Sequence, residues 1–243
     1  MISVLFFILA FLAEVIGTTA GFGSSTIFLP ISLFFIDFKT ALALVGLFHI
    51  FGNLGRIGFF RQGLNLKLIL TFGIPSVILS LIGALLVNYV HPEALKLVLG
   101  IFLVIFSLAS IINPWFKFKP SNQNAIIGGV LSGFLAGLIG TGGVLRGAFL
   151  TAFSLKKSVY VATAAAIALA VDLTRVPIYF SSGFLDQEFY IYIPLLFGIA
   201  IAGSYTGRKI TDRIPQQLLR KYILAVIAVI SLKLIYEGLS FFL

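Results

Sequence analysis

The stretch GLIGTGGVLRG, residues 137–147, sets five glycines and one arginine between two runs that are otherwise almost wholly apolar. Glycine weakens a helix and a guanidinium is costly in apolar surroundings, so the stretch interrupts the helix that enters it and calls for a polar purpose at depth. TTAGFGSST, residues 18–26, breaks the first half of the chain in the same way.

The surrounding composition defines the solvent. Of 243 residues, 60% are hydrophobic and only 10% charged, with a mean hydropathy of +1.13. A soluble domain carries about 25% charged residues, so this chain is a membrane protein whose partner is the lipid bilayer. The net charge of +9 comes from Lys and Arg in short connectors, not on one face, so no nucleic acid is expected. With no cysteine and two histidines, disulfides, iron–sulfur clusters and thiol chemistry are excluded, and no metal, cofactor or catalytic residue is expected. Residues 2–16 mimic a signal peptide, but no Lys or Arg precedes Lys39 and Glu14 interrupts the apolar run, so the N-terminus is expected to be retained.

Apolar windows of about 20 residues predict full spans near 41–60, 67–88, 93–112, 158–180, 189–207 and 216–236. Regions 2–36 and 125–154 are too long for one simple span. The two halves match at a shift of about 119: GFGS at 21–24 over GTGG at 140–143, FKTALALV at 38–45 over KKSVYVAT at 156–163, Arg56 over Arg175, Pro75 over Pro194, and HPEAL at 91–95 over IPQQL at 214–218 after a small insertion. The expected organisation is therefore a first repeat, 1–115, a linker, 116–124, and a second repeat, 125–243. The expected fold is an all-α polytopic membrane protein of two inverted repeats, each a glycine-broken re-entrant helix pair plus three transmembrane helices.

Connector charges favour the re-entrant form. Helices over 125–139 and 143–154 would be roughly 22 and 18 Å long, short of a bilayer core of about 30 Å. If both broken segments turn back, one side receives eleven connector cations: Arg61, Lys67, Lys117, Lys119, Lys156, Lys157, Arg208, Lys209, Arg213, Arg220 and Lys221. The other side receives only Lys39 and Lys96. If both segments cross, the split is nine to four, so the positive-inside rule prefers the hairpins. Three crossings per repeat then invert the second repeat and leave both chain ends outside the cytoplasm of an inner-membrane protein.

Irregular backbone at membrane depth is tolerated where it is buried in protein or lines a cavity. Helices starting behind the glycine turns would point their first N–H groups, and the positive end of the helix dipole, at one centre from opposite sides. The oxyanion cradle so predicted takes Gly140, Thr141, Gly142, Gly143 and Arg146 from the second copy and Thr19, Gly21, Gly23, Ser24 and Ser25 from the first. Glycine admits a close ligand, hydroxyls donate without charge, and Arg146 supplies a permanent cation with fork geometry. The competing account is a close-packed hinge in which Arg146 snorkels or pairs with Asp172.

Behind the turns, HIFGNLGR places His49, Asn53 and Arg56 on one helical face, and AVDLTR places Asp172 and Arg175 on the matching face of the copy. Asn53 and Arg175 are candidate substrate ligands. Asp172, His49, Arg56 and Glu14 are candidates for coupling or gating. Asp172 and Arg175 suit either a packing ion pair or a latch released by substrate, Arg56 suits snorkelling as well as binding, and His49 suits packing as well as proton coupling.

A duplicated chain of this length with GFGSSTIFLP at 21–30 and GTGGVLRGAF at 140–149 resembles the sulfite exporter TauE/SafE family across its whole length. The resemblance implies an inner-membrane permease for a small sulfur-containing oxyanion such as sulfite, a sulfonate or a sulfonated acid. The family usually carries a longer glycine run followed by a proline-containing helix in each half. Here the first copy has GSS with Pro30, and the second has GTGG with Arg146 and no proline. The alternative to a carrier is an anion channel built on the same helix ends. An intramembrane enzyme using His49 as base lacks a second catalytic group, and an anchor has no need of two broken segments. An oligomer is compatible with all of this.

Overall fold

A computed structural model describes residues 3–60, 63–113, 118–211 and 216–242, excluding the side chains of 216–221. Arg61, Lys117 and Arg213 of the connector cations lie outside the described residues, as do the side chains of Arg220 and Lys221, linker residues 116–117 and part of the match at 214–218.

Ten α-helices are present among the described residues: α1 Val4–Ala20, α2 Ser25–Ser32, α3 Phe38–Phe59, α4 Leu66–Leu86, α5 Pro92–Ile112, α6 Asn122–Ile139, α7 Gly143–Leu150, α8 Lys157–Ser181, α9 Ile193–Thr211 and α10 Gln216–Ser240. Seven, namely α3, α4, α5, α6, α8, α9 and α10, are long and apolar enough to cross a membrane when flanking 3-10 turns are included. The protein is thus an all-helical, multi-pass membrane protein. Large apolar side chains on α4, α5 and α10, such as Ile74, Ile105 and Val229, face outward, as a lipid-bathed surface requires.

Two boundaries differ from the expectation. Helix α6 begins at Asn122, inside the predicted linker, because the Ser121 hydroxyl accepts the Asn124 N–H at 3.1 Å and caps it. At 18 residues it is roughly 27 Å long, close to a full span and longer than the expected half-helix. Helix α2 stops at Ser32, four residues short of the end of region 2–36, where the chain passes into turns through Phe35.

Both glycine-broken segments are helical hairpins. Gly128, near the start of α6, lies against the Phe149 ring near the end of α7, while Ser132 Oγ donates to the Gly142 carbonyl at 2.8 Å closer to the turn. In the first half, Phe6 at the start of α1 packs on Phe28 of α2 at 5.0 Å between ring centroids. Phe28 in turn meets Phe48 of α3 at 5.0 Å, so α2 is walled in between its neighbours.

Helix contacts map onto themselves when α1–α5 are exchanged for α6–α10. Helix α4 packs along α6 as α9 packs along α1, α4 meets α8 as α9 meets α3, and α3 meets α8 while α5 meets α10. Small residues make the two equivalent interfaces close. A Cβ on Gly129, Gly133 or Gly137 of α6 would fall 2.4, 2.2 or 2.1 Å from the carbonyl oxygens of Phe72, Ser76 or Ser80 in α4. On the other side, a Cβ on Gly203 or Gly207 of α9 would fall 2.8 or 2.7 Å from the Cβ of Glu14 or Thr18 in α1. Without a hydrophobic drive between helices in lipid, such backbone approach supplies the dispersion contact that holds them.

Candidate functional site

The two glycine turns meet at the centre. Gly21 closes α1 and Gly140 closes α6 with φ of 80° and 75°, each returning its N–H to the residue four before it, Gly17 or Ala136. This left-handed conformation is the one glycine adopts without strain. Thr26 and Thr141 share a hydrogen bond of 2.8 Å between their hydroxyls, and a Cβ on Gly143 would fall 2.0 Å from the Phe22 carbonyl oxygen. The N-termini of α2 and α7 therefore start side by side.

Every polar side chain of the predicted site is buried, Arg146 being the most exposed at 4%. Asp172 is the hub. Its Oδ2 accepts from His49 Nδ1 at 2.8 Å and from Asn53 Nδ2 at 2.9 Å, and its Oδ1 accepts from Arg175 Nε at 2.9 Å and lies 2.9 Å from Nη2 in an ion pair. A carboxylate only accepts, so His49 carries its proton on Nδ1 and leaves Nε2 as the exchangeable position. Arg175 also donates from Nη1 to the Ala136 carbonyl at 2.7 Å, and Tyr179 donates to Gly137. Together they satisfy the last carbonyls of α6 and complement its negative end. Arg175, expected as a substrate ligand, is thus occupied by Asp172 and by backbone.

Arg56 occupies the equivalent position in the first half. Its Nε donates to the Gly52 carbonyl at 3.1 Å and lies 3.5 Å from Glu14 Oε1, while its Nη2 is buried without a partner. Glu14 further accepts from Thr18 Oγ1 at 3.1 Å and Ser204 Oγ at 2.7 Å. Burial makes this a desolvated pair, not a snorkelling arginine. Thr19, predicted in the cradle, instead donates to the carbonyls of Val15 and Gly207 and fastens α1 to α9. Ser25 is buried in the first turn of α2.

Arg146 is different. No hydrogen bond or ion pair links its guanidinium to another described residue, and its Nε is buried without a partner. Asp172, Arg56, Tyr160 and Arg175 act on it through space. Four further buried atoms lack partners around the turns: Ser24 Oγ, His49 Nε2, Asn53 Oδ1 and Arg56 Nη2. His49 Nε2 lies 2.6 Å and Arg56 Nη1 3.3 Å from the place a Cβ on Gly23 would take, so both converge on the glycine just before α2. Among the described residues no three His, Cys, Asp or Glu side chains gather as a metal site would need. The chemistry on offer is recognition of an anion by cationic and hydroxyl donors.

A cavity of about 500 Å³ elsewhere lies between α1 and α9, lined by apolar residues including Phe7, Phe11, Pro194 and Ile199. Its lining offers no counterpart to the polar centre.

Comparison with known proteins resolves the class. The family model for sulfite exporter TauE/SafE matches residues 6–234, spanning both hairpins and all the residues above. The chain belongs to the TauE/SafE family. It is also 29% identical to a "probable membrane transporter protein" of Methanocaldococcus jannaschii, over 94% of this chain and 93% of that one. As a TauE/SafE protein it is a membrane transporter.

Several participants escaped the sequence. Tyr179 follows Arg175 by one helical turn and shares its face, a spacing that could have flagged it. Ser204, Ser132 and Thr26 carry no such signal, because single hydroxyls in apolar helices are common and only packing gives them a partner.

Proposed function

We propose that this TauE/SafE protein is a secondary transporter of a small sulfur-containing oxyanion such as sulfite, a sulfonate or a sulfonated acid, bound between the N-termini of α2 and α7. The observation that carries the proposal is Arg146, a buried guanidinium with no hydrogen bond or ion pair to a described residue. An uncompensated buried cation costs several kcal/mol unless a counter-charge occupies the site. An oxyanion supplies that charge, with Ser24 and the first amides of two helices as further donors.

The two halves, the second opening with α6 at Asn122, act as inverted repeats joined by a short linker, with both termini outside. The self-matching contact pattern supports this reading, and the doubled-back hairpins support a site at mid-membrane depth. Rocking of one repeat against the other exposes the site alternately to each side. Burial of every cradle side chain favours such a carrier over an open anion channel.

Uptake and exchange in proteoliposomes tests this, with sulfite, sulfate, thiosulfate, a small sulfonate and a neutral control, wild type beside Arg146→Ala. Saturable movement of a sulfur oxyanion that is lost in the variant is the expected result. A folded protein that moves none of them, or a variant that transports normally, overturns the proposal.

A further inference from the structure

Among the described residues, each buried arginine at the centre except one has a carboxylate partner. Arg175 pairs with Asp172 at 2.9 Å and Arg56 with Glu14 at 3.5 Å, which leaves Arg146 as the uncompensated cation. The charged groups acting on His49 are Asp172 from α8, Arg146 from α7 and Arg56 from its own helix; Arg175 of α8 is paired with that Asp172, and Glu14 of α1 with that Arg56. From α9, Ser204 donates to Glu14 and lies against the Gly52 carbonyl, and Ser24, just before α2, is buried without a partner. With His49 neutral, three arginines face two carboxylates, and the site carries one excess positive charge.

His49 changes that count by one. Asp172 holds the proton on Nδ1, and Nε2 is buried, unpartnered and directed at Gly23, where Arg56 also points. A neutral Nε2 presents a lone pair, which repels an anion's oxygen. A protonated Nε2 donates to that oxygen and raises the excess charge to two. In a water-excluded site, ligands that cancel the local charge are strongly preferred over those that leave a remainder.

We infer that the protein carries one net negative charge with each substrate: a permanent monoanion alone, and a dianion only together with one proton held between Nε2 of His49 and the substrate's oxygen. The proton is taken up at Nε2 from the side of entry and released to the side of exit, so no other bond forms or breaks. A sulfonate and a hydrogen oxyanion are then equivalent loads, and an acidic compartment favours entry of the dianion from that side. This inference rests on the anion-transport reading above.

The test uses the full chain in proteoliposomes containing a pH-sensitive dye, with methanesulfonate as the permanent monoanion and sulfite and sulfate as the divalent probes. For wild type the expected result is methanesulfonate flux without proton movement, divalent flux with one proton each, and the same single charge per substrate from reversal potentials. For His49→Gln, the rate for the divalent probes relative to methanesulfonate is expected to fall by about thirtyfold or more, the range for losing one partner of a buried charge pair. Divalent flux without protons, wild-type flux of methanesulfonate with no divalent flux, or a variant whose two rates fall equally overturns the role of His49. The wild-type ratios stand even if the variant fails to fold. Absence of any anion flux in folded wild type overturns the transport reading itself.

Discussion

Thr26 and Thr141, 115 residues apart, join their hydroxyls at 2.8 Å and tie the first turn of α2 to the glycine turn that precedes α7. The bond links the two halves at the point where their helix ends converge. Thr141→Val keeps the shape and removes one hydroxyl. It is expected to cost about 1 kcal/mol and lower Tm by about 2–4 °C for a chain of this size. A double-mutant cycle with Thr26→Val, read by thermal unfolding in detergent, should show that the losses are not additive.

Arg146 and Arg175 are both buried, but among the described residues only Arg175 has an ion-pair partner, and methionine substitution separates the two. Arg146→Met removes a charge that has no ion-pair partner, so Tm is expected to hold or rise while transport is lost. Arg175→Met strands Asp172 and frees the Ala136 carbonyl, and is expected to cost about 3–5 kcal/mol. Thermal unfolding beside proteoliposome flux checks both. A drop in Tm for Arg146→Met would return that residue to a packing role.

Asp172 accepts three hydrogen bonds from two helices and pairs with Arg175 Nη2. Asp172→Ala therefore leaves a buried arginine unpaired and releases His49 and Asn53 together, with an expected loss of about 3–5 kcal/mol. Asp172→Asn retains the shape and should fold better than alanine, yet it no longer fixes the proton on Nδ1. Comparing the folded yields of the two variants by size-exclusion chromatography tests whether Asp172 is the hub.

The close interfaces predict where bulk is refused. Gly133→Leu and Gly137→Leu would drive side chains into the backbone of α4, and Gly207→Leu into α1. Each is expected to cost at least about 1–3 kcal/mol, the usual price of overpacking. A glycine with open space around it, Gly198, is the control, since nothing lies within 4 Å of a Cβ there. Folded monomer recovered in detergent is the measure.

Topology can be tested directly because the chain has no cysteine. Single cysteines at Ser3 and Asn122 lie before α1 and at the start of α6. The inverted-repeat reading expects an impermeant thiol reagent to label Ser3→Cys from outside intact cells and Asn122→Cys only after the membrane is opened. Labelling of both from the same side would overturn the inversion.

Much of this architecture was legible in local patterns. Long apolar windows gave the spans to within a few residues, and the glycine turns at 21–24 and 140–143 gave the hairpin positions. These signals need no distant partner, because each is a run of side chains meeting one solvent. Ser121 shows the limit: it sits in a polar, proline-bearing linker, and only its hydrogen bond to Asn124 makes it the cap of α6 rather than part of a loop.

The sequence by itself determined that the chain lives in a bilayer and that each half breaks at glycines beside polar residues, in stretches that match at a shift of about 119. Hydropathy and repetition are properties of the chain read in order. Which arginine is free was decided by the tertiary structure alone. Arg175 is claimed by a carbonyl 39 residues away, and Asp172, its carboxylate, also receives His49 from 123 residues away. Arg56 is held by Glu14 on another helix. No spacing rule relates those positions, since their neighbours arise only when helices from both halves pack, and that packing leaves Arg146 without a carboxylate partner among the described residues.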